Sequence, residues 1–190
     1  TFASPELGRL LQKESNKQGV QCINVLEPVL QVMESHFSLS RSLTFGDDEE
    51  QLRAFEAEGQ MVFAVSDSTG SSVRDLVFAA LQQFPGSGVE TVTLCPEVRS
   101  LEEINCIVQE AAVMETLIIF SFASPGMSRF MRQQCERAGV PYTDAYQPII
   151  IAFERYLDYP PVGVPGGHDL REEDSLHLKW QQLRVPQLAG

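Results

Sequence analysis

Apolar and polar positions along residues 61–157 follow two periods, one typical of buried strands and the other of amphipathic helices. Apolar residues that recur at spacings of three and four predict helices over 73–84, 101–114, 125–139 and 147–157. Short apolar runs predict the strands that precede them, over 61–65, 89–95, 117–122 and 140–144. Strands that alternate with helices predict an α/β fold: a Rossmann-like open parallel sheet of about four strands with helices on both faces.

Two of the predicted helices have recognisable start signals. Ser72, with Asp75 three residues later, is typical of a capping box at the start of the first helix. Ser124 and Pro125 are favoured at the N-cap and at the first helical position, and Gly139 is expected to end that helix. We therefore expect both helices to begin directly after a strand.

A repeat relates the beginning of the chain to its second half. Residues 1–38 align with residues 121–158 without a gap, at a constant offset of 120 and with nine identical positions. About two identities are expected from average composition. The apolar positions correspond as well, as in the pair Met33 and Phe153. The alignment predicts a duplicated supersecondary unit, so that a partial copy accompanies a complete one.

The repeat divides the chain into parts. We expect the C-terminal part of a first repeat at 1–38, an acidic linker with a short helix at 39–60, a complete Rossmann-like repeat at 61–167 and an irregular tail at 168–190. Isolated pieces of this size bury little surface. Residues 1–38 should therefore pack against the complete repeat, with 20–25 as an added strand, or be partly disordered.

Composition narrows the classes of function. The 190 residues include 14 Lys and Arg and 26 Asp and Glu, for a net charge of −12, so binding to nucleic acid or to an anionic membrane is not expected. No apolar run approaches the ~20 residues that span a bilayer, and no signal peptide is visible, so secretion is not expected. The spacing of the cysteines and histidines predicts no metal site. Cys95 and Cys106 lie among apolar residues and are predicted to be buried.

One loop has the character of a ligand site: Ser66-Asp67-Ser68-Thr69-Gly70 ends the first strand and precedes its helix. In open α/β sheets, ligands bind beyond the carboxyl ends of the strands. Gly70 permits close approach of the backbone, and the helix N-terminus with the nearby hydroxyls favours an anion such as phosphate. Asp67 would repel phosphate; it can hold a cation, take a proton or accept N–H groups of the turn. The competing interpretation is a polar turn with a local helix cap.

Asp144 and Arg74 are candidates for residues that lie beside this loop and support the ligand site. Asp144 follows the fourth strand at the same edge of the sheet, where it can pair with Asp67 or serve in a turn. Arg74, like Arg129, lies near a helix start, within reach of a phosphate or, alternatively, on the free surface. No P-loop sequence and no Gly-x-Gly-x-x-Gly motif after a strand occurs in the chain, so no cofactor is expected within it.

Three segments of the chain resemble one enzyme family. They are Val65-Ser66-Asp67-Ser68-Thr69-Gly70, Ala79-Ala80-Leu81-x-Gln83-Phe84, and Gly139-Val140-Pro141-x-Thr143-Asp144 with Pro148. Together they are similar to the N-terminal half of the pyruvate, phosphate dikinase regulatory protein family, over about residues 61–167.

The resemblance implies a bifunctional enzyme. Members of that family inactivate the dikinase by ADP-dependent phosphorylation of a Thr near its catalytic His, and reactivate it by phosphate-dependent removal of that group with release of pyrophosphate. Bacterial relatives regulate phosphoenolpyruvate synthase, so either enzyme is the implied partner, in the cytoplasm or the chloroplast stroma. ADP and inorganic phosphate are the implied substrates. The P-loop belongs to the C-terminal half of the family, so we expect this chain to stop before it and to be inactive alone.

The residues also leave two other functions open. One is a non-catalytic dimerisation or docking module of α/β fold, for which a homodimer through a sheet edge or helix face is expected. The other is a phosphate-handling enzyme unrelated to the dikinase, which only the 66–70 loop supports.

Overall fold

The computed structural model describes residues 5–19, 24–43, 60–85 and 87–165, which contain four strands and six helices. The strands are β1 (Gln60–Ser66), β2 (Val89–Cys95), β3 (Leu117–Ser121) and β4 (Tyr142–Asp144). The helices are α1 (Pro5–Lys17), α2 (Leu26–Leu43), α3 (Ser71–Leu81), α4 (Leu101–Val113), α5 (Pro125–Ala138) and α6 (Gln147–Leu157). Each strand and helix predicted between residues 61 and 157 is therefore present, with ends that differ from the prediction by a few residues.

The four strands form one parallel sheet in the order β2-β1-β3-β4. β1 and β3 are central: Val65 of β1 pairs with Cys95 of β2 on one side and with Phe120 of β3 on the other. Asp144 of β4 pairs in turn with Phe120. The open parallel α/β sheet predicted from the sequence is thus confirmed, and all four carboxyl ends lie at one edge.

Alternate side chains of the central strands point to opposite faces of the sheet, and each face has its own core. Val62 and Ala64 of β1 lie on the face that α2 and α3 cover. Phe63 and Val65 lie on the face that α4 and α5 cover. Because both faces are buried, the strands are apolar on both sides, which is why they read as continuous apolar runs in the sequence.

The start of α3 differs from the prediction. Its N-cap is Gly70, no side chain caps the helix, and Asp75 instead binds the neighbouring arginine. The capping box expected at Ser72 and Asp75 is therefore wrong. A capping box is present at the start of α4, where Ser100 and Glu103 exchange hydrogen bonds.

The start and the end of α5 follow the prediction. Oγ of Ser124 accepts a hydrogen bond from the N–H of Met127, with Pro125 at the beginning of the helix. Gly139 follows the last turn with φ at 71°, in the left-handed region where glycine avoids the cost of a Cβ. The Ser124 cap determines where the loop between β3 and α5 ends and the helix begins.

α2 packs against the sheet, as expected for the N-terminal segment. Its buried side chains join β1, β3 and α3 in one core: Leu26, Val29, Leu30 and Met33. The helix continues to Leu43, beyond the expected boundary of the first repeat at residue 38. Outside the described residues lie most of the strand expected at 20–25, the expected short helix of the linker and the tail at 168–190.

One cysteine differs from its prediction. Cys106 is exposed on α4, because the buried face of that helix is formed by Ile104, Val108 and Ala111, while Cys95 is partly buried. Within the described ranges, no three His, Cys, Asp or Glu side chains gather in a way that could hold a metal ion. No helix in the described part of the chain combines the length and the hydropathy that a membrane span requires.

Candidate functional site

The strand order creates a crevice between the carboxyl ends of β1 and β3. The chain leaves β1 towards β2 on one side and returns to β3 on the other, and ligands bind in open α/β sheets where the connections diverge in this way. Ser66 and Ser121 end the two strands and are paired in register. The hydroxyl of Ser121 donates to that of Ser66 over 3.3 Å. The loop at 66–70 and the loop between β3 and α5 therefore border the crevice.

Asp67 joins these two loops. The residue is 3% exposed, and its Oδ2 accepts a hydrogen bond of 2.7 Å from the N–H of Ala123. Burial raises the pKa of this carboxyl; the N–H groups of Ala123 and Ser124 and the charge of Arg99 lower it without outweighing burial. Of the three roles that the sequence leaves open for Asp67, the structure shows acceptance of a backbone N–H group. The donor, Ala123, lies in the loop across the crevice.

Gly70 adopts a backbone conformation that other residues rarely take. Its φ is +74°, and a Cβ at this position would lie 2.7 Å from Cδ1 of Leu94 on β2. As the N-cap of α3 it provides no side-chain acceptor for the first N–H groups of the helix. The positive end of the helix dipole also lies at this edge of the sheet. Open N–H groups and a positive dipole end together suit an anion.

A third loop, residues 96–99 between β2 and α4, belongs to the same site, and the sequence patterns did not indicate it. Two of its backbone N–H groups donate to the carbonyl oxygens of Ser66 and Ser68, at 3.0 and 2.9 Å. These bonds hold the loop against the 66–70 loop and place Arg99 near enough to Asp67 to lower its pKa. The loop contains no motif; its only signal was its position after a strand, at the edge where the other loops meet.

The arginines singled out from the sequence differ in their surroundings. Arg74 is exposed, and its guanidinium binds Asp75, the next residue of α3, at 2.9 Å. Arg129 lines an open groove of about 400 Å³ together with Ser124. The structure therefore gives Arg74 a partner on its own helix and places Arg129, like Arg99, beside a loop of the crevice.

Asp144 has its own set of partners. Oδ1 accepts hydrogen bonds from the N–H groups of Tyr146 and Gln147, at 3.2 and 3.0 Å, at the start of α6. Oδ2 lies 3.8 Å from Nη1 of Arg132. Burial raises the pKa of Asp144 more than these donors and Arg132 lower it. The structure thus shows the turn role, and these contacts do not include Asp67.

Replacing Asp144 with asparagine is expected to keep these two hydrogen bonds to the backbone and to change the pH dependence of stability. An amide oxygen can accept both N–H groups, as Oδ1 of Asn24 does for Leu26 and Glu27 at the start of α2. Folding raises the pKa of Asp144 above its ordinary 3.8. Between pH 3.8 and the raised pKa, the folded wild type therefore binds more protons than the unfolded chain. Its stability therefore falls as the pH rises from 3.8 through the raised pKa.

Asp144→Asn should lack this part of the decline and should be at least as stable as the wild type at neutral pH. Urea unfolding at a series of pH values between about 4 and 7 measures the slope. A slope equal to that of the wild type would show that folding does not change the proton affinity of Asp144.

The comparisons with known proteins agree with one another. A family model described as kinase/pyrophosphorylase matches residues 62–177. A pyruvate, phosphate dikinase regulatory protein from Zea mays, named as chloroplastic, is 29% identical over 128 residues. Putative pyruvate, phosphate dikinase regulatory proteins from Bacillus velezensis and Sorangium cellulosum are 33% identical over 118 residues and 28% identical over 108 residues.

These matches cover only part of each relative. They span 63%, 62% and 57% of this chain, but 30%, 44% and 38% of the Zea mays, Bacillus velezensis and Sorangium cellulosum proteins. The chain thus spans less than half the length of these relatives. Within the chain, the matched residues 62–177 include all three loops that border the crevice.

Proposed function

The chain belongs to the kinase/pyrophosphorylase family, and on that premise we propose that it is the α/β unit of a regulator of pyruvate, phosphate dikinase or phosphoenolpyruvate synthase. The proposal rests on the family match over residues 62–177 and is supported by relatives named as regulatory proteins of the dikinase. The proposed compartments are the cytoplasm and the chloroplast stroma, since the Zea mays relative is named as chloroplastic.

The proposed reactions add and remove one phosphoryl group on a hydroxyl of the target enzyme. In the first, a Thr or Ser hydroxyl takes the terminal phosphoryl group of ADP, its proton is lost and AMP leaves. In the second, inorganic phosphate attacks the phosphorylated residue, the bond between phosphorus and the side-chain oxygen breaks, that oxygen takes up a proton to restore the hydroxyl, and pyrophosphate leaves. In both reactions a phosphoryl group is transferred from a bound phosphate compound, so both need donors arranged around a tetrahedral anion.

The crevice offers such donors. The first N–H groups of α3 follow the carboxyl end of β1, as do Ser68 and Thr69 with their hydroxyls. Arg99 follows the carboxyl end of β2, and its charge acts on Asp67. Backbone N–H groups at a helix start and a guanidinium are the groups that commonly bind phosphate in proteins. We assign Asp67 a positioning role, because its carboxylate holds the β3–α5 loop through the N–H of Ala123. The proposed site therefore binds phosphate with the 66–70 loop and Arg99, and Asp67 keeps the opposite loop in place.

Binding of inorganic phosphate, pyrophosphate and ADP to the chain tests this site. Calorimetry and the shift in Tm are measured with each anion at constant ionic strength, so that general screening is equal in all samples. Phosphate is expected to raise the Tm of the wild type. Arg99→Gln should weaken phosphate binding about tenfold, the loss expected for one charge-assisted hydrogen bond.

Arg74→Gln is the matched control, because Arg74 is also an arginine near α3 but is bound to Asp75. It should bind phosphate as the wild type does. No heat and no Tm shift with any of the three anions would refute the site. An equal loss in both variants would indicate a general charge effect in place of a specific contact.

A further inference from the structure

Two pairs of helices have the same local structure at an offset of 120 residues. α1 begins at Pro5 and α5 at Pro125, and the glycines that follow them, Gly19 and Gly139, have φ of 68° and 71°. The next helix then starts in the same way in both places. Oδ1 of Asn24 accepts two backbone N–H groups at 3.2 Å, as Oδ1 of Asp144 does at 3.2 and 3.0 Å. α2 and α6 are therefore equivalent in local structure as well as in aligned sequence.

The two equivalent helices differ in burial. The side chains with which α2 binds the sheet are at most 9% exposed: Leu26, Val29, Leu30 and Met33. The aligned positions of α6 and its N-cap are also apolar: Tyr146, Ile149, Ile150 and Phe153. Phe153 is 56% exposed although its counterpart Met33 is fully buried. Tyr146 is also exposed, at 37%, whereas Ile149 and Ile150 are partly buried. α6 thus has apolar residues at the positions that α2 buries, and both ends of this row are in contact with solvent.

α2 fills a groove formed by β1, β3 and α3. This groove is within reach of a helix that follows β4. Ala145, directly after β4, already belongs to the core that α2 shares with β1 and β3. Val32, Ser35 and His36 of α2 line a cavity of about 370 Å³ with the residues that precede β3 and β4. The second half of α2 thus lies where these strands begin, so the helix runs from the carboxyl ends of the strands towards their starts. A helix that connects parallel strands takes this direction.

We propose that α2 and α6 are alternative occupants of this groove, and that the exposed face of α6 docks there when α2 leaves. The occupant is α6 of the same chain, because Ala145 anchors its start at the groove and both helices present apolar side chains at the same spacing. Only one of them can be bound at a time. This inference does not depend on the proposed function.

Replacement of α2 by α6 in the groove also affects the β3–α5 loop, which borders the candidate site. The segment after α6 lies against the β3–α5 loop, since a Cβ on Gly163 would be 3.4 Å from Cδ of Pro125 and 3.9 Å from the carbonyl oxygen of Ala123. Movement of α6 into the groove draws this segment away from the loop that Asp67 holds. Release of α2 therefore uncovers one border of the crevice.

A double-mutant cycle in the full chain tests the proposal. Phe153→Asp alone should leave the Tm within about 2 °C of the wild type, because the side chain is exposed. Met33→Asp should expel α2, but α6 replaces it, so a cooperative transition remains at a lower Tm. The double variant has no apolar helix for the groove, and its Tm should fall by more than the two single shifts combined. Additive shifts would overturn the proposal.

Thiol labelling supplies a second measurement that does not require Met33→Asp to fold. Cysteine is placed at position 153 by Phe153→Cys or, as the matched control, at position 154 by Glu154→Cys. The aligned residue Glu34 is exposed on α2, so position 154 should stay accessible in either arrangement. Addition of the milder Met33→Ala should slow labelling at 153 several-fold and leave the rate at 154 unchanged.

Three results of the labelling experiment would overturn the proposal. One is an unchanged rate at position 153 in the Met33→Ala background. Another is faster labelling at both positions, because release of α2 would then leave the groove unfilled. The third is protection that grows with protein concentration, which would assign the groove's occupant to a second copy of the chain. Labelled peptides are resolved by mass, so that the exposed native Cys106 is counted separately.

Discussion

Gly70→Ala is expected to lower the free energy of unfolding by about 2–5 kcal/mol. An L-residue in the left-handed region costs about 1–2 kcal/mol, and Gly70 has φ at +74°. The added Cβ would also lie 2.7 Å from Cδ1 of Leu94, and overpacking of this kind costs about 1–3 kcal/mol. Leu94 is packed against the core beneath α2 and α3, so it can move only by giving up other contacts. Urea unfolding measures the loss, with an unchanged m-value as the check that both states are comparable.

Gly139→Ala is the matched control for this prediction. Gly139 has φ at +71°, and a Cβ there would have nothing within 4 Å. The substitution should therefore cost only the conformational part, about 1–2 kcal/mol. The difference between the two variants isolates the contact with Leu94. Equal losses would mean that Leu94 moves aside at no cost. Phosphate binding should weaken in Gly70→Ala alone, because only Gly70 caps α3.

Asp67→Ala is expected to lower the free energy of unfolding by about 1–3 kcal/mol. Its carboxylate accepts the N–H of Ala123 at 2.7 Å in a site where the residue is only 3% exposed. Truncation leaves this donor without its partner in a partly buried place, and an unsatisfied donor of this kind costs about 1–3 kcal/mol. The β3–α5 loop should also become mobile, so hydrogen exchange at the Ala123 amide should accelerate.

Asp67→Asn separates the hydrogen bond from the charge. The amide oxygen can still accept the N–H of Ala123, and the carboxylate charge, whose burial raises the pKa of Asp67, is absent. This variant should be at least as stable as the wild type at neutral pH, and exchange at Ala123 should remain slow. If Asp67→Asn and Asp67→Ala lose the same stability, the charge and not the accepted hydrogen bond holds the loop.

The strands and helices between residues 61 and 157 could be predicted because their signals are local. β2 was predicted at its observed bounds, and α6 likewise, because apolar spacing distinguishes a strand from a helix within a short window. The start of α3 could not be predicted in the same way. Ser72 and Asp75 satisfy a capping pattern, but the N-cap is Gly70, whose positive φ and close approach to Leu94 place it at the turn before the helix.

The candidate site could be predicted only in part. Its position followed from the Ser-Asp-Ser-Thr-Gly loop and the rule for parallel sheets. The partner of Asp67 did not, because Ala123 is 56 residues away in the chain and meets it only through the pairing of β1 with β3. Arg99 was missed for the same reason, since its loop reaches the site through the pairing of β1 with β2. Arg74, a candidate by sequence, is bound to its neighbour Asp75.

The sequence by itself determined the order of the elements and the position of the loop at the end of β1. These properties depend on the period of apolar residues and on caps, which act over one or two turns. Only the tertiary structure decided that Met33 of α2 is buried while Phe153 of α6, at the aligned position, is exposed. Both helices present an apolar face at the same spacing, so local preference cannot separate them. The outcome depends on the free energy of the whole packed state.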